Sequence, residues 1–284
     1  GEIAKPIRTL SLFSCAGGLD IGFHDAGFST HTMVEIDERF AATLSANCKP
    51  EGYFGHGDAK CMDICDFHPP KSLGVDFIIG GPPCQTFSAA GRRASGVKGT
   101  TDSRGQLFEQ YVRLLKHFSP QPKGFLFENV YGITGAENGD AWARIERAFA
   151  DAGYQISWRI LDAADYGVPQ HRERLFIVGT KGKKFLFPRP THGPDSGSQE
   201  KFFSASQAIS GAKLTEADLS AKVNGRFGRF LDDIPPGLNY SFFTEKMGHP
   251  NPIFAWRSKF SDFLYKADPK HAIRTLKAQG GQYT

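Results

Sequence analysis

The most constraining feature of this chain is the run Gly-Gly-Pro-Pro-Cys-Gln at residues 80–85, which follows a short apolar stretch at residues 75–79. The apolar stretch predicts a buried strand. Two glycines then break the strand, and two prolines stiffen the turn because each fixes φ and removes a backbone donor. Cys84 is thereby predicted at the carboxyl end of a strand, where open α/β sheets form their ligand crevice. There it is either a candidate nucleophile or a small buried thiol.

The rest of the chain to residue 180 alternates strands and helices. Strands are predicted at residues 8–13, 30–34, 75–79, 125–127, 154–161 and 175–179, and helices at 19–26, 38–47, 106–118 and around Trp142. This alternation predicts an α/β fold with a doubly wound sheet. The Gly17-Gly18 turn after the first strand, with Glu35 at the end of the second, favours a nucleotide-type site.

Residues 181–284 are rich in Gly, Pro and aromatic residues, and basic residues are interspersed among them. This change of composition predicts a domain boundary near residue 180. It gives a catalytic domain at residues 1–180 and a smaller, loop-rich domain at 181–284. Within the latter, residues 272–277 are predicted to form a strand. Residues 89–104 are predicted to form a mobile, cationic loop.

Composition and cysteine usage limit the class of protein. Hydrophobic residues make up 40% of the 284 residues and charged residues 23%, as in ordinary soluble proteins. No apolar run approaches the ~20 residues of a membrane span, so the expectation is a cytoplasmic or nucleoid protein without membrane contact. The net charge of +4 permits nucleic-acid binding without requiring it. Five cysteines, an odd number, predict reduced thiols.

A metal site is not predicted. The candidate ligands His56, Cys61, Cys65 and His68 lack the second close cysteine pair that structural zinc sites use.

Four blocks in order resemble the motifs of the cytosine-C5 DNA methyltransferases. They are Leu-Phe-Ser-Cys-Ala-Gly-Gly-Leu at 12–19, Pro-Pro-Cys-Gln at 82–85, Phe-Glu-Asn-Val at 127–130, and Gln170-x-Arg172-x-Arg174. Residues 234–237 and 278–281 are similar to later parts of the same family. The resemblance implies a Rossmann-like methyltransferase sheet that uses S-adenosylmethionine (AdoMet), and a target-recognition domain of the restriction-modification type.

The resemblance also assigns catalytic roles. Cytosine C5 is a poor nucleophile until a thiolate, here that of Cys84, adds to C6 and turns the ring into an enamine. Glu128 would meet the charge that develops at N3, provided that its pKa is raised enough for it to donate a proton. Arg174 would hold O2 and orient the acid, and Arg172 would steady the same site.

For the cofactor, the resemblance implies a pocket built from the first three strand ends. Phe13 and Ile36 would pack on adenine, Gly17 and Gly18 would approach the methionine carboxylate, and Glu35 would hold the ribose. The adenine amino group would go to Asp63, which is preferred to Asp58 for its spacing from Cys84. Four more residues are carried over as cofactor contacts: Leu19, Ile64, Pro83 and Leu107.

The implied substrate is double-stranded DNA with the target cytosine flipped out of the helix. Gln85, Ser88 and Arg104 are expected to contact DNA, residues 181–284 to read its sequence, and a restriction endonuclease to be the functional partner. Two alternatives stay open: a tRNA cytosine methyltransferase that shares these motifs, and a catalytically silent DNA- or AdoMet-binding module.

Two departures from the family pattern carry expectations of their own. Cys15 stands where the family's turn usually has glycine. The family's further Arg-rich and Asn-containing motifs do not follow residue 284. The expectation is therefore either a truncated chain or one subunit of a split enzyme, with weak AdoMet binding and little activity until a C-terminal segment or second chain is added.

Overall fold

A computed structural model of the chain describes residues 5–83, 105–135, 139–198, 200–220, 226–255 and 263–276. Among these residues no helix is both long and apolar enough to cross a membrane. Contacts divide the chain into two compact units. The first comprises residues 1–160 and 174–187, and the second residues 161–173 and 188–284. The functional boundary expected at residue 180 stays a prediction.

A seven-stranded sheet forms the centre of the first unit. Its strands are β1 (Ile7–Leu12), β2 (Phe28–Glu35), β3 (Asp58–Cys61), β4 (Phe77–Gly80), β5 (Gly124–Asn129), β6 (Gln155–Asp162) and β7 (Glu173–Thr180). Their order in the sheet is β3-β2-β1-β4-β5-β7-β6. The first five strands pair in parallel, whereas β7 runs antiparallel to β5. The predicted α/β fold with a doubly wound sheet is confirmed.

Four longer helices connect these strands, and two short ones lie in the second unit. They are α1 (Gly18–Asp25), α2 (Glu38–Asn47), α3 (Gly105–His117), α4 (Asp140–Asp151), α5 (Ala205–Ile209) and α6 (Glu216–Ser220). Single turns of 3₁₀ helix occur at Ile64–Asp66, Tyr131–Thr134, Ala163–Tyr166, Gly228–Leu231, Tyr240–Phe243 and Glu245–Met247.

The core lies on both faces of the sheet. Met33 and Val34 are neighbours on β2 and so point to opposite faces. Val34 belongs to the large cluster that contains the buried residues of α3 and α4, whereas Met33 packs with Leu44 of α2 and Phe54. Burial on both faces explains why β1 has no exposed side chain from Thr9 to Leu12.

The second unit has a small core of a different kind. Ile234, Tyr240, Phe243, Phe254 and Leu264 are buried together, and further phenylalanines pack around them. Regular secondary structure is sparse in the described part of this unit, as its Gly- and Pro-rich sequence predicts.

Two elements differ from the sequence prediction. The short strand β3 has the sequence Asp-Ala-Lys-Cys and gives no apolar pattern, so it was predicted as loop. The strand predicted at residues 272–277 is wrong within the described residues, because Ile273 forms only an isolated bridge with Gln170. The four cysteines in the described part of the chain are free thiols.

Candidate cofactor and catalytic site

The site lies where the strand order reverses. From β1 the chain proceeds through β2 and β3 towards one edge of the sheet, and from β4 it proceeds through β5 towards the other. β1 and β4 are hydrogen-bonded neighbours, with Leu12 paired to Gly80 at their carboxyl ends. A crevice opens at such a reversal because the connections leave in opposite directions. By this rule the turn after β1 is expected to form one wall of the crevice, and the turn after β4 together with the end of β5 the other.

The β1 turn has an unusual backbone. Phe13 (φ 54°) and Cys15 (φ 48°) both adopt the left-handed conformation, which costs a non-glycine residue free energy. Hydrogen bonds hold the turn in place: Ser14 N donates to Val34 O at 3.3 Å, and Gly17 N donates to Ser14 O at 2.9 Å. This geometry explains why glycine would be preferred at position 15.

Gly17 and Gly18 are required for different reasons. Gly17 has φ 90°, and a Cβ on it would lie 3.0 Å from Leu44 Cδ2 and 3.2 Å from the ring of Phe54. Gly18 begins α1 with no left-handed φ, and a Cβ there would meet no atom within 4 Å among the described residues outside its chain neighbours and its own helix backbone. The protein thus needs glycine at position 17 for its own packing. At position 18 the bare backbone is instead open to a ligand.

Glu35 holds the β1 turn in place. Its carboxylate is 7% exposed, and its Oε2 accepts a hydrogen bond from Cys15 N at 2.7 Å. Oε1 accepts from Asp37 N at 2.8 Å. Because a carboxylate oxygen can accept more than one hydrogen bond, Glu35 retains acceptor capacity for ligand hydroxyls. Next to it Ile36 is 64% exposed, an unusual position for isoleucine that would suit a flat apolar ligand.

The structure separates the two candidates for an adenine-binding acid. Asp58 begins β3 and pairs with Lys60 at 2.8 Å. Asp63 follows the carboxyl end of the same strand, where its Oδ1 accepts from Cys65 N at 2.8 Å. Only Asp63 is therefore at the crevice end of the parallel strands. The side chain of Ile64 is buried in the core, and its carbonyl accepts hydrogen bonds from Arg113 Nη2 and from Phe67 N, both at 3.2 Å.

On the opposite wall, Glu128 is the central acid. It lies at the end of β5, and its Oε1 is 3.2 Å from Nε of Arg174 on β7. A Cβ on Gly81 would lie 2.5 Å from Glu128 Oε2, so glycine at this position allows the acid to approach the β4 turn. The acid and arginine motifs therefore meet directly.

Asn129 fixes the β4 turn beside that acid. It is buried, and its Nδ2 donates to the carbonyl of Pro82 at 3.1 Å. This bond links the strand that carries Glu128 to the two prolines that precede Cys84. Asn129 belongs to the Phe-Glu-Asn-Val motif, which by itself predicts no role for it, although a polar residue at the end of a buried strand is a usable signal.

The other predicted residues are placed as follows. Leu19 and Leu107 are half-buried on α1 and α3, and Pro83 is exposed at the end of the described β4 turn. Arg172 belongs to the second unit, where its Nη1 donates to Leu276 O at 3.3 Å. Four of the predictions, those on Cys84, Gln85, Ser88 and Arg104, concern residues outside the described ranges. Among the described residues no cluster of His, Cys, Asp and Glu could hold a metal ion.

This fold and crevice define the class of Rossmann-like methyltransferases, and the solved structure of S. pombe Dnmt2 methyltransferase has the same fold. It aligns with a TM-score of 0.56 at 18% identity, covering 81% of this chain and 65% of that one. The family model for C-5 cytosine-specific DNA methylases matches residues 7–240. The chain belongs to this family and is thus a DNA cytosine-C5 methyltransferase by class.

Two curated relatives agree with the family. The Type II methyltransferase M.SacI of Streptomyces achromogenes is 34% identical over 98% of this chain and 76% of its own length. The Type II methyltransferase M.AquIA of Picosynechococcus sp. is 42% identical over 68% of this chain and 80% of its own length. The predicted family, of restriction-modification type, is confirmed.

Proposed function

We propose that the protein transfers a methyl group from AdoMet to C5 of a cytosine flipped out of a specific duplex DNA sequence, through a covalent bond between Cys84 and C6. The observation that carries this proposal is the position of Glu128. It lies between Gly81 and Arg174, directly beside the strand whose turn leads to Cys84.

The steps follow from the chemistry of the ring. Addition of the Cys84 thiolate to C6 forms a C–S bond and moves electron density towards N3, where a proton from Glu128 compensates the charge. C5 is then nucleophilic and accepts the methyl group. Loss of the C5 proton to water, elimination of the thiolate and return of the N3 proton to Glu128 restore the aromatic ring and regenerate the acid. Arg174 orients Glu128 through the 3.2 Å contact, and Arg172 is proposed to steady the same site.

AdoMet would supply the methyl group from its sulfonium. The first wall fits it: Gly18 offers open backbone, Glu35 offers a buried carboxylate, and Ile36 offers exposed apolar surface. Asp63 is proposed to accept from the adenine amino group. Further contacts are proposed from Phe13, Gly17, Leu19, Ile64, Pro83 and Leu107.

The second unit is proposed to read the DNA sequence. Arg226 and Arg229 lie on the rings of Phe227 and Phe230, with the guanidinium carbons 5.3 and 4.8 Å from the ring centroids. Pre-oriented arginines of this kind suit contacts to phosphates or guanine. Ser88 and Arg104 are proposed to contact DNA phosphates near the target, and Gln85 is proposed to contact the DNA. A cognate restriction endonuclease is proposed as the functional partner. The nucleoid, in the cytoplasm, is proposed as the place of action.

Bisulfite sequencing tests this function. Plasmid DNA incubated with the protein and AdoMet should carry 5-methylcytosine within one short motif, and a parallel incubation with tRNA should leave the tRNA unmodified. Methylation of tRNA alone would favour the RNA enzyme. Binding of DNA and AdoMet without any methylation would favour the silent module.

A further inference from the structure

Residues 273–276 of the second unit lie along the first part of the Gln-x-Arg-x-Arg motif. Ile273 forms a parallel bridge with Gln170. The N–H of Ile273 donates to Pro169 O at 3.0 Å, and its carbonyl accepts from His171 N at 2.8 Å. These backbone bonds hold the two segments side by side, although neither segment belongs to a regular strand at this point.

The guanidinium of Arg172 has one hydrogen-bond acceptor in the described part of the chain. Its Nη1 donates to Leu276 O at 3.3 Å. The backbone of Arg172 is fixed separately, because its N–H donates to Asp162 Oδ1 at 2.8 Å. A guanidinium has several further N–H donors, and these stay available to a substrate. The orientation of the Arg172 side chain therefore depends on where the Leu276 carbonyl lies.

The side chain of Gln170 binds the same leucine at its other backbone group. Its Oε1 accepts from Leu276 N at 3.1 Å. Leu276 is thus held between two side chains of one motif, with Gln170 at its N–H and Arg172 at its carbonyl. The leucine itself is 45% exposed, so packing contributes little to its position. The hydrogen bonds to residues 170–172 are what keeps this carbonyl in place.

The contact between Arg172 and Leu276 tolerates little movement. A distance of 3.3 Å between Nη1 and the carbonyl oxygen is already long, because N–H···O bonds in proteins usually span about 2.7–3.2 Å. A shift of a few tenths of an ångström would break it. Without the bond from Gln170, the backbone at Leu276 could move by that much, and the guanidinium would lose its fixed orientation.

We propose that Gln170 is a positioning residue for the reaction, which orients the Arg172 guanidinium through the backbone of Leu276. The inference rests on the proposed role of Arg172 at the target site. It gives a role to the first residue of the Gln-x-Arg-x-Arg motif, to which the resemblance assigns none. Gln170 needs no contact with DNA or cofactor to act in this way.

Single-turnover methylation by the full chain, at saturating DNA and AdoMet, tests the inference. Gln170→Leu removes the acceptor at similar size and should lower the rate about tenfold, with AdoMet affinity unchanged. Gln170→Glu keeps an acceptor oxygen and should stay within about threefold of the wild-type rate. The matched control is Gln207→Leu. It removes a glutamine of the same unit whose Oε1 accepts from Ser204 N at 2.9 Å, and it should lower thermal stability but not the rate.

A double-mutant cycle separates positioning of the arginine from general support of the fold. If Gln170 acts through Arg172, then Gln170→Leu should change the rate by less than about twofold in an Arg172→Met background. Losses that multiply in the double variant, or a wild-type rate in Gln170→Leu, would overturn the inference and leave the proposed function intact.

Amide hydrogen exchange gives a readout that needs no activity. The Leu276 amide should be protected in the wild-type protein and in Gln170→Glu, and should exchange about tenfold faster in Gln170→Leu. Equal exchange in all three proteins would overturn the inference. A protected amide in a wild-type chain that methylates no DNA would instead refute the proposed function, and the inference with it.

Discussion

The two walls of the crevice are held in place by different means. On the wall formed by the turn after β1, the proposed cofactor wall, the backbone adopts left-handed conformations at Phe13, Cys15 and Gly17, and Cys15 N donates a hydrogen bond to Glu35. On the wall formed by the β4 turn and the end of β5, the proposed catalytic wall, ordinary strand ends carry side chains that bind one another. Asn129 bonds to the Pro82 carbonyl, and Arg174 contacts Glu128.

This difference fits the role proposed for each wall. A ligand bound mainly by backbone amides needs the chain itself to approach closely, and that requires unusual φ values. A wall that moves protons needs side chains held at set distances. Substitutions on the cofactor wall should therefore affect stability and binding, whereas those on the catalytic wall should affect turnover.

The largest effect is expected on the catalytic wall. Glu128→Gln keeps the size of the side chain but cannot donate the proton, so the methylation rate should fall by about 10²–10⁴-fold. Single-turnover kinetics would measure it. Glu109→Gln, an exposed change on α3, should leave the rate unchanged. A Glu128→Gln variant within a few-fold of the wild-type rate would remove Glu128 from the mechanism.

The next largest effect concerns the stability cost of Asp20 on the cofactor wall. Its pKa is raised from the ordinary 3.8 to about 6 by burial. Ionising it in the folded protein therefore costs free energy, a cost that is absent below pH 3.8, grows up to about pH 6 and is complete above that. Asp20→Asn should raise the free energy of unfolding at pH 8 by up to about 3 kcal/mol, and by much less at pH 4.5. Urea denaturation at the two pH values would measure the difference, and an equal effect at both would contradict it.

Substitutions of the two adjacent glycines should separate an effect on stability from an effect on ligand binding. Gly17→Ala combines a left-handed φ with a contact at 3.0 Å, and should lower the free energy of unfolding by about 1–3 kcal/mol. The added methyl group of Gly18→Ala meets no other side chain in the described part of the chain, so this change should leave stability unchanged while it weakens AdoMet binding. Thermal unfolding would measure the stability of both variants, and calorimetry would measure their AdoMet affinity. Full AdoMet affinity in Gly18→Ala would place the ligand elsewhere.

A smaller effect is expected at Cys15. Glycine adopts the left-handed conformation without the steric penalty but has more freedom in the unfolded chain. Cys15→Gly should therefore raise the free energy of unfolding by only about 0.5–1 kcal/mol. The exposed thiol at Cys61 offers a control, because Cys61→Ser lies outside the strained turn. A loss of stability in Cys15→Gly would show that the thiol makes contacts that outweigh the strain.

Most of the sheet could be predicted from sequence because its central strands are buried on both faces and so read as apolar runs. The helix over residues 38–47 was predicted with its observed limits. β3 could not be predicted, because four residues at the sheet edge carry no apolar pattern. The apparent strand at 272–277 failed because alternation alone does not provide a partner strand.

The candidate site, too, could be predicted only in part from the sequence. Motif spacing placed Glu128 and Arg174, and the structure brings them together. The hydrogen bond of Asn129 to Pro82 and the burial of Asp20 depend on packing in three dimensions. Nothing in the local sequence distinguishes the buried Asp20 from the exposed Asp25 on the same helix.

Covalent trapping is the most direct test of the central claim. Long duplex DNA made with 5-fluorodeoxycytidine in place of deoxycytidine carries the fluorinated base at every possible target. Fluorine cannot leave C5 as a proton does. With AdoMet, the wild-type protein should form a complex that survives denaturing electrophoresis. A Cys15→Ser variant should form it too, and a Cys84→Ser variant should not. A stable complex with Cys84→Ser, or its loss only when Cys15 is changed, would contradict the account.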